Sequence, residues 1–145
     1  MEKVLITGGA GYVGSVLTTM LLDQGRHVTI FDNFMYGAQH VCGFSSHPHL
    51  ELVKGDVRDP EHLRRVVKGR DWVFHLAAIV GYPACAADPY RATTTNVVGT
   101  RNLLDAMEKS QELVFASTGS TYGKVTGTAT EFNPLSPGVN TTEPA

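Results

Sequence analysis

Three glycines near the start of the chain have the spacing of a phosphate-binding loop. Gly8, Gly11 and Gly14 lie three residues apart in "TGGAGYVGS". The first would permit a tight turn, the second would let backbone approach a pyrophosphate, and the third would let a helix pack closely on a strand. The unpaired N–H groups at the start of a helix, near Tyr12 and Val13, would then face the anion. The alternative is a strand-to-helix turn that binds nothing.

An acidic residue follows this loop at the distance expected for a ribose-binding group. Asp32 lies 18 residues beyond Gly14, at the end of the second apolar run, where a carboxylate can bind ribose hydroxyls. The same carboxylate would repel a 2′-phosphate, and no Lys or Arg occurs between Arg26 and Lys54 to compensate. We therefore expect dinucleotide binding, with NAD favoured over NADP.

Five short apolar runs provide the strands that would position these residues. They are "KVLIT" (3–7), "VTIF" (28–31), "LELV" (50–53), "WVFHLA" (72–77) and "LVFAS" (113–117). Each is apolar on both faces, which is typical of a strand covered by helices on two sides. Helical patterns separate them, so we expect an α/β fold with a parallel sheet.

Three helices are predicted between the runs. The first has an apolar stripe expected to face the core and ends at Gly25; the stripe is Val13, Val16, Leu17, Met20 and Leu21. The second begins with Asp59 as N-cap and Pro60, points Leu63, Val66 and Val67 inward, and ends near Gly69. The third begins at Asp88 and Pro89 and runs to about Lys109, with apolar Val97, Leu103, Leu104 and Met107. A short helix is predicted within 34–49.

Composition excludes several classes of protein. The chain has 145 residues, 42% of them hydrophobic and 18% charged, with a net charge of −2. These values describe one globular domain without the basic excess of a nucleic-acid binder. No apolar stretch is long enough to span a membrane and no signal peptide is evident, so a cytoplasmic location is the default expectation. Cys42 and Cys85 are interpreted as packing residues, and His47 with His49 as loop residues without metal.

Several motifs occur in order along residues 3–123. Besides the glycines they are "DN" at 32–33, "GDVRD" at 55–59, "HLAA" at 75–78, "NVVGT" at 96–100 and "STGSTYG" at 117–123. Together they resemble the extended short-chain dehydrogenase/reductase family, and within it the NAD-dependent nucleotide-sugar epimerases and dehydratases. The resemblance implies a Rossmann-type doubly wound parallel sheet of about five strands.

The resemblance also implies which further residues bind the cofactor. The matching positions are Asn33, Asp56, Val57, Leu76, Ala77, Ala78 and Asn96. Asp56 and Val57 would hold the adenine, and 76–78 would let the cofactor lie over the strand end. Each has a structural alternative: a turn for Asp56, core packing for Ala77 and Ala78, and a satisfied amide for Asn96.

Members of this family oxidise a sugar hydroxyl by hydride transfer to NAD and later return the hydride. A Tyr-x-x-x-Lys helix provides the proton chemistry, and a Ser or Thr hydroxyl binds the reacting oxygen. Thr118 matches that hydroxyl, with a turn hydroxyl as the alternative. Dehydratases carry Asp-Glu directly after it, whereas Gly119 and Ser120 stand here, which favours an epimerase or decarboxylase type.

The C-terminal segment departs from the family pattern. "NPLSP" at 133–137 resembles the lead-in to the Tyr-Lys helix, which places the Tyr on Gly138 and the Lys on Thr142. We expect an incomplete NAD-binding domain at 1–123, an irregular tail at 124–145 and no substrate domain. The chain is then expected to bind NAD without turning over the family's nucleotide sugars, and to form a homodimer or self-associate through the helix at 88–109. The alternatives are a catalytically silent regulatory NAD-binding module and a fragment too unstable to bind any ligand.

Overall fold

The computed structural model describes residues 1–118, 122 and 127–132. The chain divides into two compact units, Met1–Phe115 and Ala116–Ala145. Among the described residues, all the strands and the α-helices belong to the first unit. In the second unit, residues 127–132 form neither helix nor strand. The predicted segments 133–137, Gly138 and Thr142 lie outside the described residues.

A five-stranded parallel sheet forms the centre of the first unit. Its strands are β1 (Lys3–Thr7), β2 (His27–Asp32), β3 (Leu50–Lys54), β4 (Trp72–His75) and β5 (Glu112–Phe115). Their order is β3-β2-β1-β4-β5, and all four pairings are parallel. The chain thus builds outward from β1 to β3 and then returns to the other side of β1. This confirms the predicted α/β, doubly wound fold of five strands.

Helical segments connect these strands. They are α1 (Tyr12–Asp23), α2 (Pro60–Val67), α3 (Tyr82–Ala87), α4 (Pro89–Thr93), a π-helical turn (Thr94–Val98) and α5 (Gly99–Ala106). The single long helix predicted to reach Lys109 is therefore interrupted by the π turn and ends at Ala106, after which Met107 is extended. Helix α3 was not predicted. The helix predicted within 34–49 is reduced to one 3₁₀ turn, Cys42–Phe44.

The middle residues of β1 and β2 are buried, but the outer strands are partly exposed. Leu5 and Phe31 are 0% exposed. In contrast, Leu52 on β3 and Phe115 on β5 are 38% and 52% exposed. The prediction that all five strands are covered on both faces is therefore wrong for β3 and β5. The physical reason is their outer position, because each has one neighbouring strand among the described residues.

Helix α1 buries only part of the predicted stripe. Val13, Val16 and Met20 are 61%, 56% and 57% exposed. The face that is buried consists of Gly14, Ser15, Thr18, Leu21 and Leu22. A Cβ at Gly14 would lie 2.6 Å from the carbonyl oxygen of Gly8, so this glycine marks the closest approach of the helix. That approach fixes the rotation of the helix and leaves three of the five predicted stripe residues exposed, whereas Leu21 is buried and Leu17 packs against the core.

Helix α2 agrees with the prediction in detail. The Asp59 side chain accepts hydrogen bonds from the backbone N–H groups of Glu61 (3.1 Å) and His62 (3.0 Å), which satisfies donors that the first turn leaves unpaired. Its buried residues are Leu63, Val66 and Val67. No helix in the described part of the chain is long and apolar enough to cross a membrane.

Candidate functional site

The ends of three neighbouring strands bring the candidate residues to one edge of the sheet. Thr7 at the end of β1 is in register with Phe31 of β2 and with His75 of β4. The glycine loop, Asp32 and the segment 76–81 directly follow these three positions. Open α/β sheets bind ligands at this carboxyl edge, at the point where the strand order reverses.

The glycine loop is packed so closely that side chains are excluded at two of its three predicted positions. Gly8 has a φ of +72°, and a Cβ there would lie 2.6 Å from the backbone nitrogen of Ala77. Gly14 is excluded by Gly8 itself, as described above. At Gly11 the nearest atom to a Cβ would be the Gly8 carbonyl oxygen at 3.2 Å. The loop is therefore held against α1 and against the segment that directly follows β4.

A fourth glycine belongs to this loop and was missed by the sequence analysis. A Cβ at Gly9 would lie 2.7 Å from Cγ1 of Ile30 on β2. The signal was the double glycine in "TGGAG". Gly9 brings the loop down onto β2, next to the strand end that carries Asp32.

The first turn of α1 leaves backbone donors unused. The N–H groups of Tyr12, Val13 and Gly14 donate to none of the described residues. Gly11 occupies the N-cap and offers no side-chain cap, and no acidic residue lies in the first turn. The positive end of the helix dipole thus adds to three free donors. This donor set fits an anion such as a diphosphate.

Asp32 is fixed beside the loop by two backbone hydrogen bonds. Its Oδ2 accepts from the N–H of Ala10 at 3.0 Å, and its Oδ1 accepts from the N–H of Phe34 at 2.7 Å. The turn that follows requires the left-handed conformation at Phe34, with φ of 57°. Asn33 accepts from the N–H of Met35 at 3.0 Å in the same turn. Each carboxylate oxygen of Asp32 retains acceptor capacity for a hydroxyl.

Asp56 is held by an arginine two residues away. The Arg58 side chain donates from Nε to Oδ1 at 2.9 Å and from Nη2 to Oδ2 at 2.6 Å. This pairing holds the pKa of Asp56 below its ordinary value, although partial burial opposes the shift. The neighbouring Val57 is only 4% exposed, and its side chain belongs to the hydrophobic core. The contact of Val57 with adenine stays a prediction.

Asn96 fixes the segment that follows β4. Its Oδ1 accepts from the N–H of Ile79 at 2.8 Å and its Nδ2 donates to the carbonyl oxygen of Ile79 at 2.9 Å. The π turn widens the helix at Asn96, which is a frequent feature of functional sites. Leu76 and Ala77 are half-buried in this segment and Ala78 is exposed. The side-chain amide of Asn96 is thus hydrogen-bonded within the fold, which is the structural alternative to a role in cofactor binding.

A buried histidine beneath the site was also missed. His75 is 3% exposed, with Nδ1 2.6 Å from Thr7 Oγ1 and Nε2 2.9 Å from Thr100 Oγ1. The Thr100 hydroxyl donates to the carbonyl oxygen of Asn96 at 2.6 Å, so it accepts from Nε2–H, and Nδ1 accepts from Thr7. Burial lowers the pKa of His75 to about 4. The neutral imidazole therefore links β1 to the helix that carries Asn96.

Two further predictions concern a substrate-binding hydroxyl and a metal site. Thr118 is exposed and lies in the second unit, so its placement beside a substrate stays a prediction. Among the described residues, no group of three His, Cys, Asp or Glu side chains is arranged to hold a metal ion.

Comparisons with known proteins extend this description. The model of the NAD dependent epimerase/dehydratase family matches residues 4–144. A UDP-N-acetyl-alpha-D-glucosaminuronate decarboxylase of Bacillus cytotoxicus is 37% identical over 130 residues, which cover 86% of this chain and 39% of that protein. A 3 beta-hydroxysteroid dehydrogenase/Delta 5→4-isomerase of Mycobacterium tuberculosis is 40% identical over 126 residues, covering 83% of this chain and 32% of that one.

A solved structure is similar along the same region. UDP-glucuronic acid 4-epimerase from Bacillus cereus, in complex with UDP-glucuronic acid and NAD, matches with a TM-score of 0.84 and 28% identity. The match covers 93% of this chain and 46% of that one. The chain thus spans less than half the length of the relatives it matches. On its sequence and its fold, the chain belongs to the NAD dependent epimerase/dehydratase family.

Proposed function

We propose that this chain is the NAD-binding portion of a protein that acts on nucleotide sugars by transient hydride transfer. One observation carries the proposal. The loop that leaves the N–H groups of Tyr12, Val13 and Gly14 unpaired also donates, through Ala10, to the Asp32 carboxylate. Donors suited to a diphosphate, on the loop and the first turn of α1, are therefore held beside an acceptor suited to a ribose, at the end of β2.

Different residues would bind different parts of the cofactor. The helix start would hold the diphosphate, Asp32 the ribose hydroxyls, and Asp56 the adenine, while 76–78 would support the cofactor over the end of β4. When bound, NAD would supply a hydride acceptor. Thr118 would donate a hydrogen bond to the reacting oxygen of the sugar.

Electrostatics favour NAD over NADP. A 2′-phosphate beside Asp32 would place two negative groups together, and no Lys or Arg occurs between Arg26 and Lys54 to compensate. Preference for the cofactor without the phosphate follows from this unfavourable charge pair.

The substrate class is taken from the relatives. The decarboxylase and the 4-epimerase named above act on UDP sugars according to their names, whereas the mycobacterial relative is a steroid enzyme. Gly119 and Ser120 after Thr118 support the epimerase or decarboxylase type. Because Gly138 and Thr142 occupy the positions of the Tyr and Lys, we propose that the chain binds NAD without catalysing sugar turnover.

Calorimetric titration with NAD and NADP tests the binding proposal. We expect saturable NAD binding with Kd between about 1 μM and 1 mM and weaker binding of NADP. Gly14→Ala should weaken NAD binding and cost about 1–3 kcal/mol of stability through overpacking. Gly43→Ala is the matched control, since a Cβ there meets nothing within 4 Å. Absence of NAD binding by the folded chain would contradict the proposal.

An activity assay tests the second part. The chain is mixed with NAD and UDP-glucose or UDP-glucuronic acid, and products are followed by chromatography. We expect no turnover above background, because a positioned acid or base contributes about 10²- to 10⁴-fold to the rate. Product formed at an ordinary enzymatic rate would show that another group replaces the Tyr and Lys.

A further inference from the structure

A cleft of about 250 Å³ lies at the amino edge of the sheet, opposite the edge that carries the glycine loop. It is lined by Lys3, His27, Lys68, Gly69 and Arg70. The first two residues begin β1 and β2, and the other three lie in the turn between α2 and β4. Lys3 and Thr7 are four residues apart on β1, which is about 13 Å at about 3.3 Å per residue. The cleft is therefore separate from the proposed dinucleotide site.

The guanidinium of Arg70 is anchored in this cleft before any ligand arrives. Its Nε donates to the carbonyl oxygen of Val66 at 2.9 Å, and its Nη2 donates to Oε2 of Glu51 at 3.2 Å. An arginine side chain has five N–H groups, so three of them donate to none of the described residues. The side chain is only 18% exposed. A planar fork held in this way can bind an oxyanion with little further loss of side-chain freedom.

Two lysines add positive charge that is not compensated. Lys3 and Lys68 are exposed, and neither ammonium group has a hydrogen-bond or ion-pair partner in the described part of the chain. The nearby Asp71 instead uses its Oδ2 to accept from the backbone N–H of Lys3 at 2.7 Å. None of the side chains that line the cleft is acidic. A cleft lined by one sign of charge concentrates the electric field and attracts anions.

A backbone donor lies between the basic side chains. The N–H of Gly69 donates to none of the described residues. Gly69 has a φ of +71°, and a Cβ there would meet nothing within 4 Å. A ligand can therefore approach the backbone closely at this point.

The size and charge of the cleft indicate the class of ligand. Its volume of about 250 Å³ is below the roughly 300–1,000 Å³ of pockets that enclose a drug-sized ligand, so it fits one charged group rather than a whole nucleotide. Glu51 compensates Arg70, which leaves the charges of the two lysines. A phosphate monoester carries a charge of about −1.5 to −2 at pH 7 and would balance both, whereas a carboxylate would balance only one.

From these observations we infer that the cleft is a second anion site, which binds the phosphate group of a small molecule. Arg70 would bind two phosphate oxygens, the two lysines would neutralise the charge, and the N–H of Gly69 would donate a further hydrogen bond. The ligand is either free phosphate or a small phosphate monoester, because both present this group. The inference goes beyond the proposed function and does not depend on NAD binding.

The test is a titration of the full ¹⁵N-labelled chain, followed by NMR at constant ionic strength. The probes are inorganic phosphate, glycerol 3-phosphate and sodium chloride. We expect the first two to give saturable shifts of the Gly69 and Arg70 amides, with Kd on the order of 1 mM, and chloride to give none. Because the start of α1 can also bind an anion, the shifts of the Val13 amide are fitted separately.

Variants identify the groups that hold the phosphate. Lys3→Met and Lys68→Met retain the aliphatic part of the side chain and should each weaken phosphate binding at Gly69 by about 3- to 10-fold. The double variant should show no saturation. Arg101→Met is the matched control, since Arg101 is an exposed arginine on α5 that does not line the cleft, and it should retain the full affinity.

The outcomes separate the sources of phosphate and the two proposals. Tighter binding of the ester would identify a phosphorylated small molecule as the ligand, and tighter binding of inorganic phosphate would identify the free ion; both support the site. Equal shifts with chloride, shifts at Val13 but not at Gly69, or an unchanged affinity in the double variant would overturn the inference. Stronger binding of a short DNA duplex to the same amides would overturn it too, because the surface would then be a general polyanion-binding patch. If NAD fails to bind while Gly69 still responds to phosphate, the proposed function fails and this inference stands.

Discussion

The neighbours of the buried His75 imidazole determine its tautomer and keep it neutral. Thr7 and Thr100 occupy both ring nitrogens, and the Thr100 hydroxyl is oriented by the carbonyl oxygen of Asn96. Each hydrogen bond in this series has one donor and one acceptor only when the ring is neutral. Protonation would place a second donor against the Thr7 hydroxyl and a charge in the core.

This arrangement predicts a pH dependence of stability. The pKa of His75 is lowered from 6.5 to about 4 in the folded chain. The unfolded chain therefore takes up a proton as the pH falls through 6.5, while the folded chain does not until about pH 4. The free energy of unfolding should decrease between these values by about 3 kcal/mol. Chemical denaturation at a series of pH values measures it.

Two variants isolate the contribution of His75. His40→Gln, at an exposed position, should keep the pH dependence between 6.5 and 4. His75→Asn should be less stable at neutral pH and should lose most of this slope. If His75→Asn does not fold, NMR titration of the imidazole in the unmodified chain remains decisive. A midpoint near 6.5 would contradict the prediction.

Site residues differ in how far the sequence reveals them. Gly8, Gly14 and Asp32 could be predicted because their roles follow from local spacing around one strand-helix junction. His75 could not, because its partner Thr100 lies 25 residues away and is brought near only by the fold. The pairing of Asp56 with Arg58 was overlooked for a different reason. The two residues are close in sequence, but only the turn after β3 makes their side chains meet.

At the scale of elements, the π turn between α4 and α5 controls the segment after β4. Asn96→Ala would leave the N–H and C=O of Ile79 without partners, and Ile79 is only 5% exposed. We expect a loss of about 1–3 kcal/mol in stability and faster hydrogen exchange at the Ile79 amide, measured by NMR. Asn102→Ala is the control, because that amide donates to Val57 instead. Equal exchange at Ile79 in both variants would contradict this role.

Element boundaries were predicted well where one residue type decides them. Asp59 and Pro60 start α2 as expected, because a cap and a fixed φ act locally. The buried face of α1 was predicted only in part: Leu21 is buried as expected, but apolar periodicity also indicated Val16 and Met20, and backbone packing at Gly14 turned those two outward. The exposure of β3 and β5 was not predicted, because apolar composition does not reveal strand order. Strand order is a property of the whole sheet.

For the molecule as a whole, exposed apolar residues on the π turn and on α5 predict self-association. Val97 and Leu104 are 54% and 52% exposed. We expect light scattering to detect association at high protein concentration, and Leu104→Glu to shift the chain toward the monomer, because apolar patches of this kind favour partners. Met20→Glu on α1, where Met20 is 57% exposed, controls for a general effect of added charge. A monomer at all concentrations, or an equal effect of both variants, would contradict an interface at this helix.

The central position of β1 has a consequence for synthesis on the ribosome. One edge of β1 can pair with β2 early, but its other edge must wait for β4, which begins 40 residues after β2 ends at Asp32. At about 5–20 residues per second, that edge stays open for roughly 2–8 s. During this interval a nascent chain exposes the unpaired backbone groups of that edge and the apolar side chains of its future core, and chaperone binding is expected to be strongest there.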